Sequence, residues 1–173
     1  MVDQTLILVD EEDNPAGYAS REECHAGEGK RHRAFVTLLL DSQKNVILQR
    51  RKHKLFDNLW DLTAISHPLH LENGKDESYQ EASDRALLKE MGVDHVAVEK
   101  VGAFNYFAQD GANCENEYCA VLTGKYDGQY QPNLDEVYEV KQMAFEEFLT
   151  DIKTNPGQYT PWAVLAIKQL KTL

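Results

Sequence analysis

Residues 76–92 read Asp76-Glu77-Ser78-Tyr79-Gln80-Glu81-Ala82-Ser83-Asp84-Arg85-Ala86-Leu87-Leu88-Lys89-Glu90-Met91-Gly92. Ala82, Ala86, Leu87 and Glu90 recur at helical spacing on one side, so a helix is expected over Asp76 to Met91. Glu81 stands four residues before Arg85, a spacing that lets the two side chains pair. Gly92 closes the helix, because glycine accepts the left-handed backbone of a helix end. On both sides of this helix the chain reads as strands. Thr5 to Val9 is a first strand, with Asn14-Pro15-Ala16-Gly17 as its turn. Ala34 to Leu40 is a continuous apolar run, Asp41 to Asn45 a turn, and Val46 to Arg50 the returning arm of a hairpin. Leu71 to Lys75 is a loop. Val96 to Ala108 holds one or two strands, Glu115 to Lys125 another, and Val137 to Met143 a later one. Phe145 to Lys153 is a short helix. Pro161 to Leu170 is a closing helix with proline in its first turn. Strands with a helix set between them predict an α+β layered fold, with residues 1–173 as a single domain.

The 173 residues suffice for one sizeable core, and 42% are hydrophobic, as in an ordinary globular chain. A net charge of −11 argues against nucleic acid as a partner. No apolar run approaches membrane-spanning length, and the start lacks a basic signal-type segment, so no membrane is expected. Three cysteines, an odd number without metal-type spacing, suggest free thiols in a reducing compartment, hence the cytoplasm. The basic residues are uneven. Eight of the 18 Lys and Arg lie between Lys30 and Lys54, a local cluster suited to a small anion.

Three histidines and two glutamates stand out. His25 and His32 bracket a loop containing Gly27, Gly29 and Arg31; His67 sits in Ile65-Ser66-His67-Pro68; Glu115 and Glu117 alternate in Cys114-Glu115-Asn116-Glu117. Strand side chains repeat every second residue, so both carboxylates share one face. Three imidazoles with two carboxylates make a metal site of mixed nitrogen and oxygen ligands. Singly, each is ordinary: a histidine satisfied in the core, a solvated glutamate on a strand. Their weight comes from the order of the blocks around them.

That order runs Cys24-His25, His32 to Phe35, Gln49-Arg50-Arg51, Lys54, Trp60, Ser66-His67-Pro68-Leu69, Glu81-Ala82, Arg85, Glu90 to Val93, Phe104, Tyr106, Glu115 to Glu117, Pro132, Asp135 to Val137, and Thr160-Pro161-Trp162. In that order and spacing the whole chain resembles type I isopentenyl-diphosphate isomerase, a branch of the Nudix superfamily. The resemblance implies a Nudix fold, a mixed β-sheet sandwiched between helices with an N-terminal extension. It implies that His25, His32, His67, Glu115 and Glu117 bind one divalent ion, Mn²⁺ or Mg²⁺, with Zn²⁺ able to compete. It makes Glu117 the acid that protonates the alkene, Tyr106 its proton-sharing neighbour, and Trp162 the wall facing a carbocation. That cation–π contact is worth about 1–2 kcal/mol when desolvated. Trp162 reads equally well as core packing of the last helix. Arg51 and Lys54, with Lys30 or His53, would hold the phosphates of a small-molecule diphosphate, and Glu90 a second Mg²⁺ arriving with it. No oligomeric state is implied.

The chain departs from the family pattern at four places. Ile65 stands where the catalytic cysteine is expected, Leu62 where an asparagine is usual, Asp57-Asn58 for Pro-Gly, and Ala86 for a second arginine. Isoleucine neither accepts nor donates a proton. The hydrolase helix pattern Arg-Glu-x-x-Glu-Glu reads Arg85-Ala86-Leu87-Leu88-Lys89-Glu90, which thins its carboxylates to Glu90, with Glu72 as a distant helper. Cys119 falls on the strand face of Glu115 and Glu117, as a thiol near the metal or a buried structural residue. Three readings follow: an isomerase-like enzyme lacking its thiol, a Nudix hydrolase of a diphosphate, or a metal-containing homologue that binds without turnover.

Overall fold

A computed structural model describes residues 4–170. The strands are β1 (Thr5–Val9), β2 (Pro15–Ser20), β3 (His32–Leu40), β4 (Asn45–Arg51), β5 (Trp60–Asp61), β6 (Ala64–Ser66), β7 (Val98–Asp110), β8 (Asn113–Lys125) and β9 (Val137–Ala144). The helices are α1 (Arg21–His25), α2 (Tyr79–Met91), α3 (Phe145–Thr154) and α4 (Pro161–Ala166). The sheet is mixed: β3 and β8 run parallel over nine register pairs, and the other ladders are antiparallel. Alternation along the strands makes two apolar faces. One, with Val36, Leu38, Cys119 and Val121, packs against Phe148 of α3 and Ala163 of α4. The other, with Phe35, Leu39, Ala120 and Leu122, packs against Ala82, Ala86, Leu87 and Met91 of α2. Each large apolar side chain so buried contributes about 1.5–3 kcal/mol. The α+β expectation of a sheet between helices matches this layering.

α2 begins at Tyr79, later than expected, because Ser78 forms a capping box with Glu81. Asp76 instead pairs with His70 at 2.7 Å. The Glu81 carboxylate is spent on Ser78, so Arg85 does not pair with it. Arg85 turns to Glu77, at 2.8 and 2.7 Å, and to the His67 carbonyl at 2.7 Å. The helix thus ties down the segment that carries His67. It ends at Gly92 with φ 63°, where a Cβ would lie 2.7 Å from the Gln131 carbonyl oxygen.

Most other ends move by a residue or two, and three further differences matter. The first turn is Asp10 to Asn14, where the Asp10 carboxylate accepts from Glu12 and Asn14 amides; Pro15 already opens edge strand β2. α4 stops at Ala166, short of Leu170. Most consequentially, β3 and β4 do not form an extended hairpin. Their ladder is one register pair, Leu40↔Val46, after which they diverge. β4 pairs instead with β9 and β5, while β3 pairs with β8 and β6. The divergence opens a cleft between Gln49 and Arg51 on β4 and Ile65 and His67 at β6.

Candidate active site

Five side chains converge at the cleft, each placed by a different local device. α1 starts from a Ser20/Glu23 capping box and ends at His25. An isolated bridge, Ala26↔Asn113, docks that end beside the start of β8 and Glu115. Gly29 (φ 61°) lets the loop from His25 to His32 fold tightly, since a Cβ there would lie 2.4 Å from the Cys24 carbonyl oxygen and 2.6 Å from Cys114 Sγ. His32 opens β3 directly beside Glu117 in the parallel ladder. His67 follows β6, whose Ser66 pairs with Phe35. The result is a buried set, His25, His32, His67, Glu115 and Glu117, whose ligand-type atoms all lie within 4.8 Å of one another.

The ring orientations suit a cation. His25 Nδ1 donates to the Arg21 carbonyl at 2.7 Å, and His32 Nδ1 to the Lys30 carbonyl at 2.8 Å. A carbonyl only accepts, so both rings carry a proton on Nδ1, and in the neutral ring Nε2 is then the atom left to meet a metal. Those two Nε2 atoms and Glu115 Oε2 are buried without a hydrogen-bond partner. His25 Nε2 lies 3.0 Å from Glu115 Oε2, close but without hydrogen-bond geometry. Unsatisfied buried acceptors cost about 1–3 kcal/mol each, which a divalent ion would offset. Glu117 Oε1 stands 3.0 Å from His67 Nε2 and 3.4 Å from His32 Nε2. Burial and the charge of Arg21 hold His67 well below the usual histidine range, leaving it a neutral imidazole. The donor set, three imidazoles and two carboxylates, fits a divalent metal.

The second Glu117 oxygen serves another partner. Tyr106 faces Glu117 across the antiparallel β7–β8 ladder, and its hydroxyl donates to Oε2 at 2.5 Å. Burial, then the Glu117 and Glu115 charges, push the phenol well above its ordinary value, so it keeps its proton. Burial alone would raise Glu117, yet its contacts with His32 and Tyr106 leave it below the ordinary carboxylate value.

Beside this group lies a cavity of about 230 Å³. Tyr106, Glu115, Glu117, Ile65, Ala86 and Glu90 are among the residues that line it. Arg21, Arg51, Lys52, Arg85 and Lys89 bring positive charge to its border. Glu90 accepts from Gln49 Nε2 at 2.6 Å, and burial pushes its carboxyl up to about 7 against the pull of Gln49 and Arg51. Trp162 is buried and also borders the cavity; its indole N–H donates to both Asp61 oxygens, at 2.9 and 2.8 Å. The Arg51 guanidinium carbon lies 4.8 Å from the centre of the Trp162 ring. Burial pushes Asp61 up to about 6, although Arg51 opposes it.

Of the residues singled out in the sequence, Arg51, Trp162, Tyr106, Glu90 and the His/Glu set meet here. Lys30 and Lys54 do not border the cavity: Lys30 pairs with Glu23 at 2.8 Å, and Lys54 is exposed. His53 borders it, but burial and the charges of Arg51 and Arg21 lower it to about 4, so it is a neutral partner and not a cation. Glu72 is exposed and away from the cavity. Cys119 is buried, with Sγ toward the Ala120 carbonyl, and does not reach it. Sequence reading did not place Arg21, Gln49, Lys89 or Asp61 at the site, and it read Lys52 only as part of the basic cluster. Arg21 had a signal, one helical turn before His25, and Lys52 another, beside Arg51. Asp61 had none.

Among known proteins, a family model described as the NUDIX domain matches residues 30–163. The Isopentenyl-diphosphate Delta-isomerase 2 of Aromatoleum aromaticum is 34% identical over 173 residues, covering 98% of this chain and 87% of the relative. The Isopentenyl-diphosphate Delta-isomerase of Haloarcula marismortui is 31% identical, covering 96% of this chain and 90% of the relative. The crystal structure of DR0079 from Deinococcus radiodurans superposes with TM-score 0.71 at 19% identity, covering 97% of this chain and 100% of that one. At that identity it speaks to fold alone.

Proposed function

The chain belongs to the Nudix family, in its isopentenyl-diphosphate isomerase-like branch, and from that premise we propose that it is a divalent-metal-dependent enzyme acting on an isoprenyl-type diphosphate. The reaction is an allylic double-bond shift: a proton is added to one carbon of the alkene and another is removed from a neighbouring carbon. The observation that carries this reading is the Tyr106 hydroxyl resting on Glu117 at the wall of a cavity bordered by cations.

Arg51, Arg21 and Lys52 grip the diphosphate; an arginine fork matches two phosphate oxygens, and lysine adds a point charge. The Glu117–Tyr106 pair gives one proton to the alkene carbon, Glu117 acting as the acid with Tyr106 sharing or relaying the proton, and the same pair, then one proton short, takes up the proton lost from the neighbouring carbon. Trp162 and Tyr106 wall off water that would trap a carbocation. His25, His32, His67, Glu115 and Glu117 would hold one ion, Mg²⁺ or Mn²⁺, with Zn²⁺ a competitor for the imidazoles. Bound there, it would polarise Glu117 and neutralise the carboxylate pair. Glu90 would meet a second Mg²⁺ brought by the diphosphate. Residues 1–173 act as a single domain, a reading supported by β1 joining β3 in the same sheet.

The departure lies in the cavity lining, where Ile65 offers no proton-transfer group. That favours hydrolysis of a diphosphate as a second reading, because a metal-activated water needs no thiol. The helix opposes it, with Ala86 and Lys89 where hydrolases carry glutamate. Incubation with isopentenyl diphosphate and Mg²⁺ or Mn²⁺ separates the readings. Dimethylallyl diphosphate is the expected product; released phosphate would favour hydrolysis, and neither product would leave a metal-containing binder.

A further inference from the structure

We propose that Asp61 is a positioning residue that couples the phosphate-binding Arg51 to the setting of the Trp162 ring. The inference rests on the diphosphate reading of the cavity. Asp61 is 0% exposed, and a carboxylate so placed persists only when its lone pairs are answered. Four contacts answer them. Oδ1 accepts from the Leu62 amide at 2.8 Å and from Trp162 Nε1 at 2.9 Å; Oδ2 accepts from Trp162 Nε1 at 2.8 Å and from Arg51 Nη1 at 3.2 Å. The partners come from three elements: Arg51 from β4, Leu62 next to β5, and Trp162 from α4.

The contacts restrict both neighbours. The indole cannot turn about its long axis without giving up its N–H acceptor. The guanidinium is held at one nitrogen and lies over the indole at 4.8 Å, while its buried Nε has no partner. Arg51 is therefore anchored by Asp61 at one nitrogen while its side chain also lines the cavity. An anion that engages Arg51 draws on a guanidinium whose other side is bonded to Asp61, and Asp61 in turn holds Trp162. Phosphate binding is thus felt at the ring that faces the organic group of the substrate. A carboxylate that served only to fill the core would hold the indole but would not transmit occupancy of Arg51.

Two measurements on the full chain with saturating Mg²⁺ test this, using inorganic pyrophosphate as the probe. Asp61→Asn keeps an oxygen for the indole N–H and removes the charge behind Arg51. Calorimetry should show pyrophosphate bound about tenfold more weakly by Asp61→Asn than by the wild type. In an Arg51→Met background, Asp61→Asn should change affinity by less than about twofold, since its effect passes through Arg51. Equal losses in both backgrounds would overturn the proposal. The second measurement needs no variant. In a ¹⁵N spectrum of the wild type, pyrophosphate should shift the indole resonance of Trp162 more than that of Trp60. Binding that leaves the Trp162 resonance in place would overturn the coupling alone. Failure of the wild type to bind pyrophosphate would overturn the diphosphate reading and the coupling with it.

Discussion

Glu117 divides its two oxygens between two kinds of partner: Oε2 accepts the Tyr106 hydroxyl at 2.5 Å, and Oε1 stands 3.0 Å from His67 Nε2. The division follows from strand order. β8 lies between β7 and β3, so Glu117 has Tyr106 beside it on one ladder and His32 on the other. One carboxylate therefore belongs both to the candidate metal set and to the pair proposed to transfer the proton. Removing either partner should have separable effects.

Tyr106→Phe deletes the hydroxyl and keeps the ring. Isomerase kcat should fall about a hundredfold with KM little changed, the size expected for one acid–base partner. Metal content, read by elemental analysis, should match the wild type. A variant with full kcat would remove Tyr106 from proton transfer.

Ile65→Cys puts a thiol on the lining of the cavity that Glu117 also borders. Isomerisation should rise, and a tenfold rise corresponds to about 1.4 kcal/mol of transition-state stabilisation. No gain in a folded, metal-loaded variant would mean that the natural reaction does not use a proton-transfer group at position 65.

The buried imidazole and carboxylate acceptors call for an ion. His25→Ala and Glu117→Gln, singly and together, should lower metal stoichiometry in dialysed protein. Metal at a hundredfold excess over its dissociation constant should stabilise the wild type by about 2.7 kcal/mol, a rise in Tm of roughly 5–10 °C. Equal metal content in wild type and double variant would count against the assignment.

Glu90 gives a pH signature. Its carboxyl is raised from 4.5 to about 7 in the folded chain. The folded state then binds more protons than the unfolded one between those values, so stability falls as pH rises. The loss begins above the unfolded value and is complete once pH passes the folded value. Glu90→Gln removes the charge and can still accept from Gln49. With metal chelated, it should be more stable than the wild type at pH 8 by about 2 kcal/mol, the shift discounted for partial exposure. The gap should shrink to a small fraction at pH 5. Melting curves at the two pH values read the difference, and a gap that stays constant or grows toward acid would contradict the assignment.

What the sequence determined was what depends on neighbours along the chain. α2 was legible because its caps and apolar stripe lie within one segment, although its start and the partner of Arg85 were set by Ser78 and Glu77. Glu115 and Glu117 share a face because strand alternation is local, and the residue types of the His/Glu set were legible as candidate metal ligands. Tertiary structure decided the rest. Whether β3 and β4 stay paired depends on competing ladders with β8 and β9, and their divergence makes the cavity. Lys30 looked suited to phosphate and Arg21 was passed over, but α1 turns Arg21 inward while Glu23 holds Lys30 outside. Asp61 meets Trp162 across 101 residues of chain, a contact with no local pattern to announce it. A buried charge is explained by the partners that pay for its desolvation, and those are known only once distant elements have packed.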